Sequence, residues 1–375
     1  MYTSRSIFAG AIAALFVGLA SSPAAAAPTC STVSSLPSTG YFQYGDAQSY
    51  SLPLLNYFAT GSATPTSGDP YYVPSGPGQI QDCVVVATGT NNGPVNLNFS
   101  GMDDAYRTPD GTGGLPYFST GDVYYTNPTN LPDAPNGPAV GDSNDTWDTT
   151  LTALTTFLNG QSPVFFFNNN QVNSGASTNQ ELFAWAQIRV VDVNGGLPTL
   201  YYDLTAMNLT HGGIPNGNVA TYNSPGAPTG NYPVGPNTGW PNTDNFIRSG
   251  GAVCILGFAI VPCGTPGATT VNHNLGADRA TYAVIFPELN AGLYSYAGLG
   301  YDVLRIDFRM GCNPQYVADC TGQSLNNGYE QLFISALNTP RLVPEPSTVL
   351  LMGIGLILFC VIRRGLTRQR DRAGL

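Results

Sequence analysis

Reactive side chains are scarce in this 375-residue chain. It holds two histidines, His211 and His273, and all 13 of its basic residues are arginines. A phosphate-cradling Gly-x-x-x-x-Gly-Lys loop is therefore impossible, and neither a Gly-x-Ser-x-Gly elbow nor a His-Glu-x-x-His zinc helix is present. Glu181, Glu288 and Glu330 could each pair with an aspartate as the acid and nucleophile of a glycoside hydrolase, but each reads as well as a solvated charge at a strand end. His211 and His273 read as surface or hydrogen-bonding residues, so no catalytic residue is assigned and no enzyme activity is expected.

Two acidic stretches offer the hard oxygen ligands that calcium requires: Asp103-Asp104, and the run that contains Asp142, Asn144, Asp145 and Asp148. The second copies only the first alternations of an EF-hand loop, because its sixth position is Trp147 where that loop needs glycine. Capping and turn roles are the competing reading, so calcium is the one ion considered and no cofactor is assigned. Cys30, Cys83, Cys254, Cys263, Cys312 and Cys320 form an even set suited to disulfides, with fifteen connectivities open. Local spacing favours Cys254 with Cys263 and Cys312 with Cys320, leaving Cys30 for Cys83. A zinc site is disfavoured, since no Cys-x-x-Cys occurs and both histidines are distant in sequence.

The elements that must position these groups are mainly strands. Short runs rich in β-branched and aromatic residues, bounded by Asn, Gly and Pro, occur at Cys83–Thr88, Val95–Phe99, Pro163–Phe167, Leu182–Val193, Thr199–Leu204, Ala252–Val261, Ala280–Phe286, Tyr301–Phe308 and Gln331–Leu337. In Tyr301–Phe308 the alternation leaves one half-polar face, as a sandwich strand shows. Asn194-Gly195 marks a hairpin turn between two of the runs. One amphipathic helix is predicted from Trp147, with Leu151, Leu154, Phe157 and Leu158 on its apolar stripe, Asp145 or Thr146 as cap, Asp148 near its N-terminus and Gly160 at its end. Long Gly/Pro/Asn-rich loops cover about 61–78, 108–141 and 211–243, and a subdivision near 208–246 is one reading of the last. The expected fold is mainly β, an antiparallel β-sandwich-like ectodomain with one helix.

Charge narrows the partners. Between Pro28 and Pro346 there are 18 Asp and 4 Glu against 7 Arg, a formal charge of −15. That sign repels nucleic acid and anionic lipid surfaces. Exposed aromatics such as Trp240, Tyr201 and Tyr202 are instead candidates for stacking on sugar rings.

Both termini read as export signals. Arg5, the apolar Ile7–Ala20 and the small residues through Ala27 make a signal peptide over 1–26, cut after Ala26 by signal peptidase. At the other end Pro344 and Pro346 hold Pro344-Glu345-Pro346 extended. Residues 348–362 then carry no charge and, as a helix, span roughly 22 Å, short for a bilayer crossing without local thinning. Five arginines from Arg363 to Arg372 anchor the end in the cytoplasm, which places everything before Val343 outside.

This order of Pro-Glu-Pro, Ser-Thr, apolar span and arginine cluster resembles the PEP-CTERM sorting signal of exopolysaccharide-producing Gram-negative bacteria, a tail also labelled an ice-binding protein C-terminal domain. The resemblance is confined to the tail, 343–375. It implies that exosortase is a partner, that Pro344, Glu345 and Pro346 are the recognition core, that the span is the membrane hold, and that Arg363 and Arg364 are the retention stop. It also implies an inner-membrane-anchored precursor, then a cell-surface or matrix location. The expected function of the β-rich region, 27–342, is a non-enzymatic structural or adhesive role toward extracellular polysaccharide or surface proteins. A carbohydrate-binding module and a secreted polysaccharide hydrolase are the alternatives.

Overall fold

The computed structural model describes residues 30–89, 98–109, 117–120, 146–171, 182–204, 247–249, 252–311, 325 and 328–337. In chain order these form β1 (Phe42–Tyr44), β2 (Ala47–Ser51), α1 (Leu52–Thr60), β3 (Val84–Thr88), β4 (Tyr106–Arg107), β5 (Tyr117–Ser119), β6 (Trp147–Thr150), α2 (Leu151–Leu158), β7 (Ser162–Phe167), β8 (Leu182–Val191), β9 (Leu200–Asp203), β10 (Ile247–Ser249), β11 (Ala252–Leu256), β12 (Ala259–Val261), β13 (Thr269–Asn272), β14 (Tyr282–Ile285), α3 (Pro287–Leu299), β15 (Val303–Gly311) and β16 (Leu332–Leu337). The fold is mainly β.

The larger sheet has seven strands in the order β1-β2-β14-β7-β16-β3-β4, antiparallel apart from the parallel β3–β4 edge. Its central strands are apolar on both faces. The residues of Val84–Thr88, Val164–Phe167 and Leu332–Leu337 are all buried, so neither face can be left to water. By register Phe165, Phe167, Tyr282 and Leu332 share one face, and Tyr50, Phe166 and Phe333 share the other. The chain before β1 lies on this second face. Tyr50 donates to the Pro37 carbonyl (2.9 Å), Tyr41 packs on the Tyr50 ring, and a disulfide joins Cys30 to Cys83 at the start of β3.

A six-stranded sheet faces the first side. It has the order β10-β8-β15-β5, with β6 also on β15 and β9 on β8. Phe308 of β15 packs its ring 5.9 Å from that of Phe167. An apolar cavity of about 70 Å³ remains between the layers, with Ala184, Ala186, Ile306 and Phe308 on one wall and Phe165 and Phe167 on the other. At this edge the layers are tied by Asp46 N–H to the Asp203 carbonyl (2.9 Å) and Asp203 N–H to the Asp46 carboxylate (2.8 Å). A third sheet, β12-β11-β13, packs on α1, where Tyr57 is hydrogen-bonded to Thr269 (3.3 Å).

Several sequence expectations change here. The residues from Trp147 do not begin a helix: Trp147–Thr150 pair with β15, and α2 starts only at Leu151, capped by Thr150 Oγ1 accepting from Ala153 N–H (3.1 Å). Asp148 is therefore a buried sheet residue, not a charge near a helix N-terminus. Left-handed Asn159 closes α2, one residue before Gly160. There are three helices among the described residues where one was expected. Ala252–Val261 is a hairpin of two strands, turned at Gly257 with φ of 63° and braced by the Cys254–Cys263 disulfide. Asn98 and Phe99 lie outside any strand. The β8–β9 hairpin forms as expected, and there the Asp192 carboxylate gathers the amides of Asn194, Gly196 and Leu197 (2.8–3.0 Å).

Cys30–Cys83 closes a loop with a sequence separation of 53, for which the chain-entropy account gives about 4 kcal/mol. Cys83→Ser should lower the urea unfolding free energy by a few kcal/mol, and reductant should do the same to the wild type. Equal urea midpoints would show that the cover over Phe166 and Phe333 holds without the bond.

Candidate functional site

The outward face of the six-stranded sheet carries most of the described ion pairs. Gln187 and Arg189 in β8 and Arg305, Asp307 and Arg309 in β15 fall at alternate positions, and strand pairing sets them in rows. Tyr201, Arg189, Arg305 and Asp148 stand opposite one another in sequence across β9, β8, β15 and β6. Asp203, Gln187 and Asp307 form the adjacent row, and Trp185 with Arg309 the next.

These rows interlock. Arg309 presents its fork to Asp307, Nε to Oδ1 at 2.8 Å and Nη2 to Oδ2 at 2.7 Å, while its guanidinium lies 5.1 Å from the Trp185 ring centre. Arg189 donates from Nε to Gln187 Oε1 (2.6 Å) and from Nη2 to Asp307 Oδ2 (3.4 Å), and Gln187 donates onward to Asp203 (2.8 Å). Arg305 pairs with Asp148 at 3.5 Å. Asp148 in turn accepts from Thr146 Oγ1 (2.5 Å), and its N–H donates to Asp103 Oδ2 (2.6 Å). Buried carboxylates need such partners, because an unpaired charge out of water costs several kcal/mol. Arg189 and Arg305 stand directly opposite, a repulsive arrangement on its own, and Asp307 and Asp148 offset it.

A second polar cluster sits where β7 ends beside the start of β16. Asn170 donates to the Gly328 carbonyl (2.6 Å), Asn168 accepts from Gln331 N–H (2.5 Å), and Thr108 Oγ1 donates to the Glu330 carbonyl (3.1 Å). These contacts hold Tyr329 at a left-handed φ of 67°, close against Gly89, where an added Cβ would fall 2.4 Å from the Tyr329 Cα. Glu330 is fully buried. Its Oε1 accepts from Gln171 Nε2 (2.7 Å) and its Oε2 meets no hydrogen-bonding partner among the described residues. Burial pushes this carboxyl up to about 8, so it is largely protonated at neutral pH.

Other residues singled out by sequence fall apart in space. Glu330 lies beyond Phe167, whereas Glu288 opens α3 at the Pro163 end of the same sheet, so these two glutamates do not form a pair. His273 is buried, bonded through Nε2 to Ser51 Oγ (2.7 Å) and stacked on Tyr282. Asp103 and Asp104 serve a turn: Asp104 accepts from Asn98 N–H (3.2 Å), and no group of three or more His, Cys, Asp or Glu fit for a metal occurs among the described residues. Tyr201 is 36% exposed, but Tyr202 is buried with its hydroxyl hydrogen-bonded to that of Tyr296, which removes Tyr202 as a sugar-stacking residue. Glu181, His211, Trp240, Asp142, Asn144, Asp145, Cys312, Cys320, Pro344, Glu345, Pro346, Arg363 and Arg364, the signal peptide, the 208–246 segment and the tail all lie outside the described residues. The arginine rows were missed, although Gln187-x-Arg189 and Arg305-x-Asp307-x-Arg309 carry their period of two openly.

Glu330 gives a pH dependence of definite sign. Its ordinary value is 4.5, so between there and about 8 the folded chain keeps a proton that the unfolded chain releases. Stability is full below that window and falls as pH rises through it. Asp104, pushed up to about 6 by burial, adds the same sign lower down, so in the upper half of the window Glu330 is the remaining raised carboxyl among the described residues, and its share is the difference between wild type and Glu330→Gln. Thermal melts across that half should fall for wild type and stay level for Glu330→Gln; a slope that survives the substitution would assign the effect to other groups.

Comparison with known families supplies two matches. Residues 342–364 match the PEP-CTERM protein-sorting motif, which covers Pro344, Glu345, Pro346 and the first two arginines of the terminal cluster. The protein is thus exported and processed by an exosortase. No match is found among curated proteins or among solved structures. Residues 32–309, about three quarters of the chain, match the family described as domain of unknown function (DUF8239). That span runs from before β1 into β15 and takes in most of both large sheets, and the chain belongs to this DUF8239 family.

Proposed function

We propose that this protein is a component of the cell surface or exopolysaccharide matrix of a Gram-negative bacterium, with a structural or adhesive role and no catalysis of its own. The observation that carries the reading is the sorting motif at residues 342–364, placed shortly after the last strand of a disulfide-bridged β domain. In this reading residues 348–362 hold the precursor in the inner membrane as a single helix, with Arg363 and Arg364 on the cytoplasmic side. Among the described residues no helix is long and apolar enough to cross a membrane. Disulfides on both large and small sheets suit the oxidising side of that membrane.

A second reading, a carbohydrate-binding module, is favoured by one observation. Tyr201 stands exposed on a flat sheet face beside polar and charged residues that can meet sugar hydroxyls.

Processing provides the test. Glu345→Ala, or deletion of Pro344 to Pro346, should leave a membrane-held precursor on immunoblots, while wild type is released or transferred in a host that contains exosortase. Equal release of variant and wild type would remove the surface reading.

A further inference from the structure

The chain between Pro28 and Pro346 has only seven cationic side chains, and four of them lie in the six-stranded sheet: Arg189 in β8, Arg248 in β10, Arg305 and Arg309 in β15. In a region whose formal charge is −15 this is a concentration of scarce charge. Its layering has a direction. The Asp307 and Asp148 side chains are 2% and 0% exposed, while those of Arg189 and Arg305 are 30% and 21% exposed. The acids lie beneath, and the guanidinium groups of Arg189 and Arg305 are the open members of their pairs, so they are what a ligand meets there. Tyr201 continues the same row by one strand, with its ring partly open to solvent.

We infer that the row Tyr201, Arg189, Arg305 binds a carboxylate-bearing sugar chain. The row spans two interstrand steps, roughly 10 Å, which suits about two pyranose rings. A ring lies on Tyr201, and a carboxylate on it or on its neighbour meets the guanidinium groups, which favour planar anions through paired N–H donors. Gln187, bonded to both Arg189 and Asp203, fixes the position of the Arg189 guanidinium from the adjoining row. A partly exposed aromatic flank favours a sugar over an acidic peptide. The inference rests on the carbohydrate-binding reading above and names the chemistry of its ligand.

Full-length protein in non-ionic detergent should be titrated with a short oligogalacturonate, with a neutral cello-oligosaccharide of equal length and with poly-L-glutamate. The galacturonate should bind, more weakly as salt rises. Tyr201→Ala and Arg189→Gln should each weaken it by about tenfold or more, and Arg279→Gln, outside this sheet, should not. Tyr201 is a surface position, so its variant remains informative if loss of Arg189 disturbs the pairing with Asp307; circular dichroism checks both. No galacturonate binding, equal binding of the neutral chain or of polyglutamate, or binding indifferent to both variants would each overturn the assignment. Failed binding alongside normal tail-dependent release would remove the ligand and leave the surface role standing.

Discussion

Two-sided burial of the larger sheet is the constraint from which the remaining structure follows. An antiparallel sheet ordinarily keeps one face wet, but Val84–Thr88, Ser162–Phe167 and Leu332–Leu337 have almost no polar alternation to offer. One face is taken by the six-stranded sheet and the other by the chain between Cys30 and Tyr41. That second cover has no regular structure, buries Cys30 and Val33 against the core, and is joined covalently to Cys83. The six-stranded sheet is then fixed with its apolar side inward, and its charged side has nowhere to point but out.

Strand β15 joins these requirements in one stretch of nine residues. Leu304, Ile306, Phe308 and Met310 enter the core while Arg305, Asp307 and Arg309 build the ionic rows. The buried acids here are met by paired arginines. Glu330 meets the same burial by the other route, holding its proton, because the asparagines and glutamines around it offer hydrogen bonds but no positive charge. One chain thus uses both solutions to the cost of a buried carboxyl.

Much of this was legible where a single physical signal dominates. The strands with continuous β-branched and aromatic residues, the Asn194-Gly195 hairpin and the Cys254–Cys263 disulfide follow from local composition and spacing, while Cys30–Cys83 was reached only as the pair left over. Helix α1 was also written plainly, with Ser51 accepting from Leu54 N–H and Pro53 in the first turn, but its short length hid it among loop residues. Helix α3 shows only Leu289 and Leu293 buried, too few for a periodic stripe. Trp147 misled because Trp147, Leu151 and Leu154 fit a helical period, while the pairing of Asp148 with Arg305, a contact 157 positions away, favours strand. The candidate site was hidden for the same reason: a row that crosses four strands is assembled only by register, which no local window contains.

Strand β16 is the last strand of the described chain and yet it lies inside the sheet, between β7 and β3. A sheet whose interior place is filled by its final segment cannot close while that segment is still threading through the membrane. Its aromatic strands therefore lack a neighbour until β16 arrives, and non-local pairing of this kind is slow to complete. The stretch from Leu337 to Pro344 reaches at most about 25 Å, so the strip that the sorting motif offers for processing stays within that distance of the strand that completes the sheet.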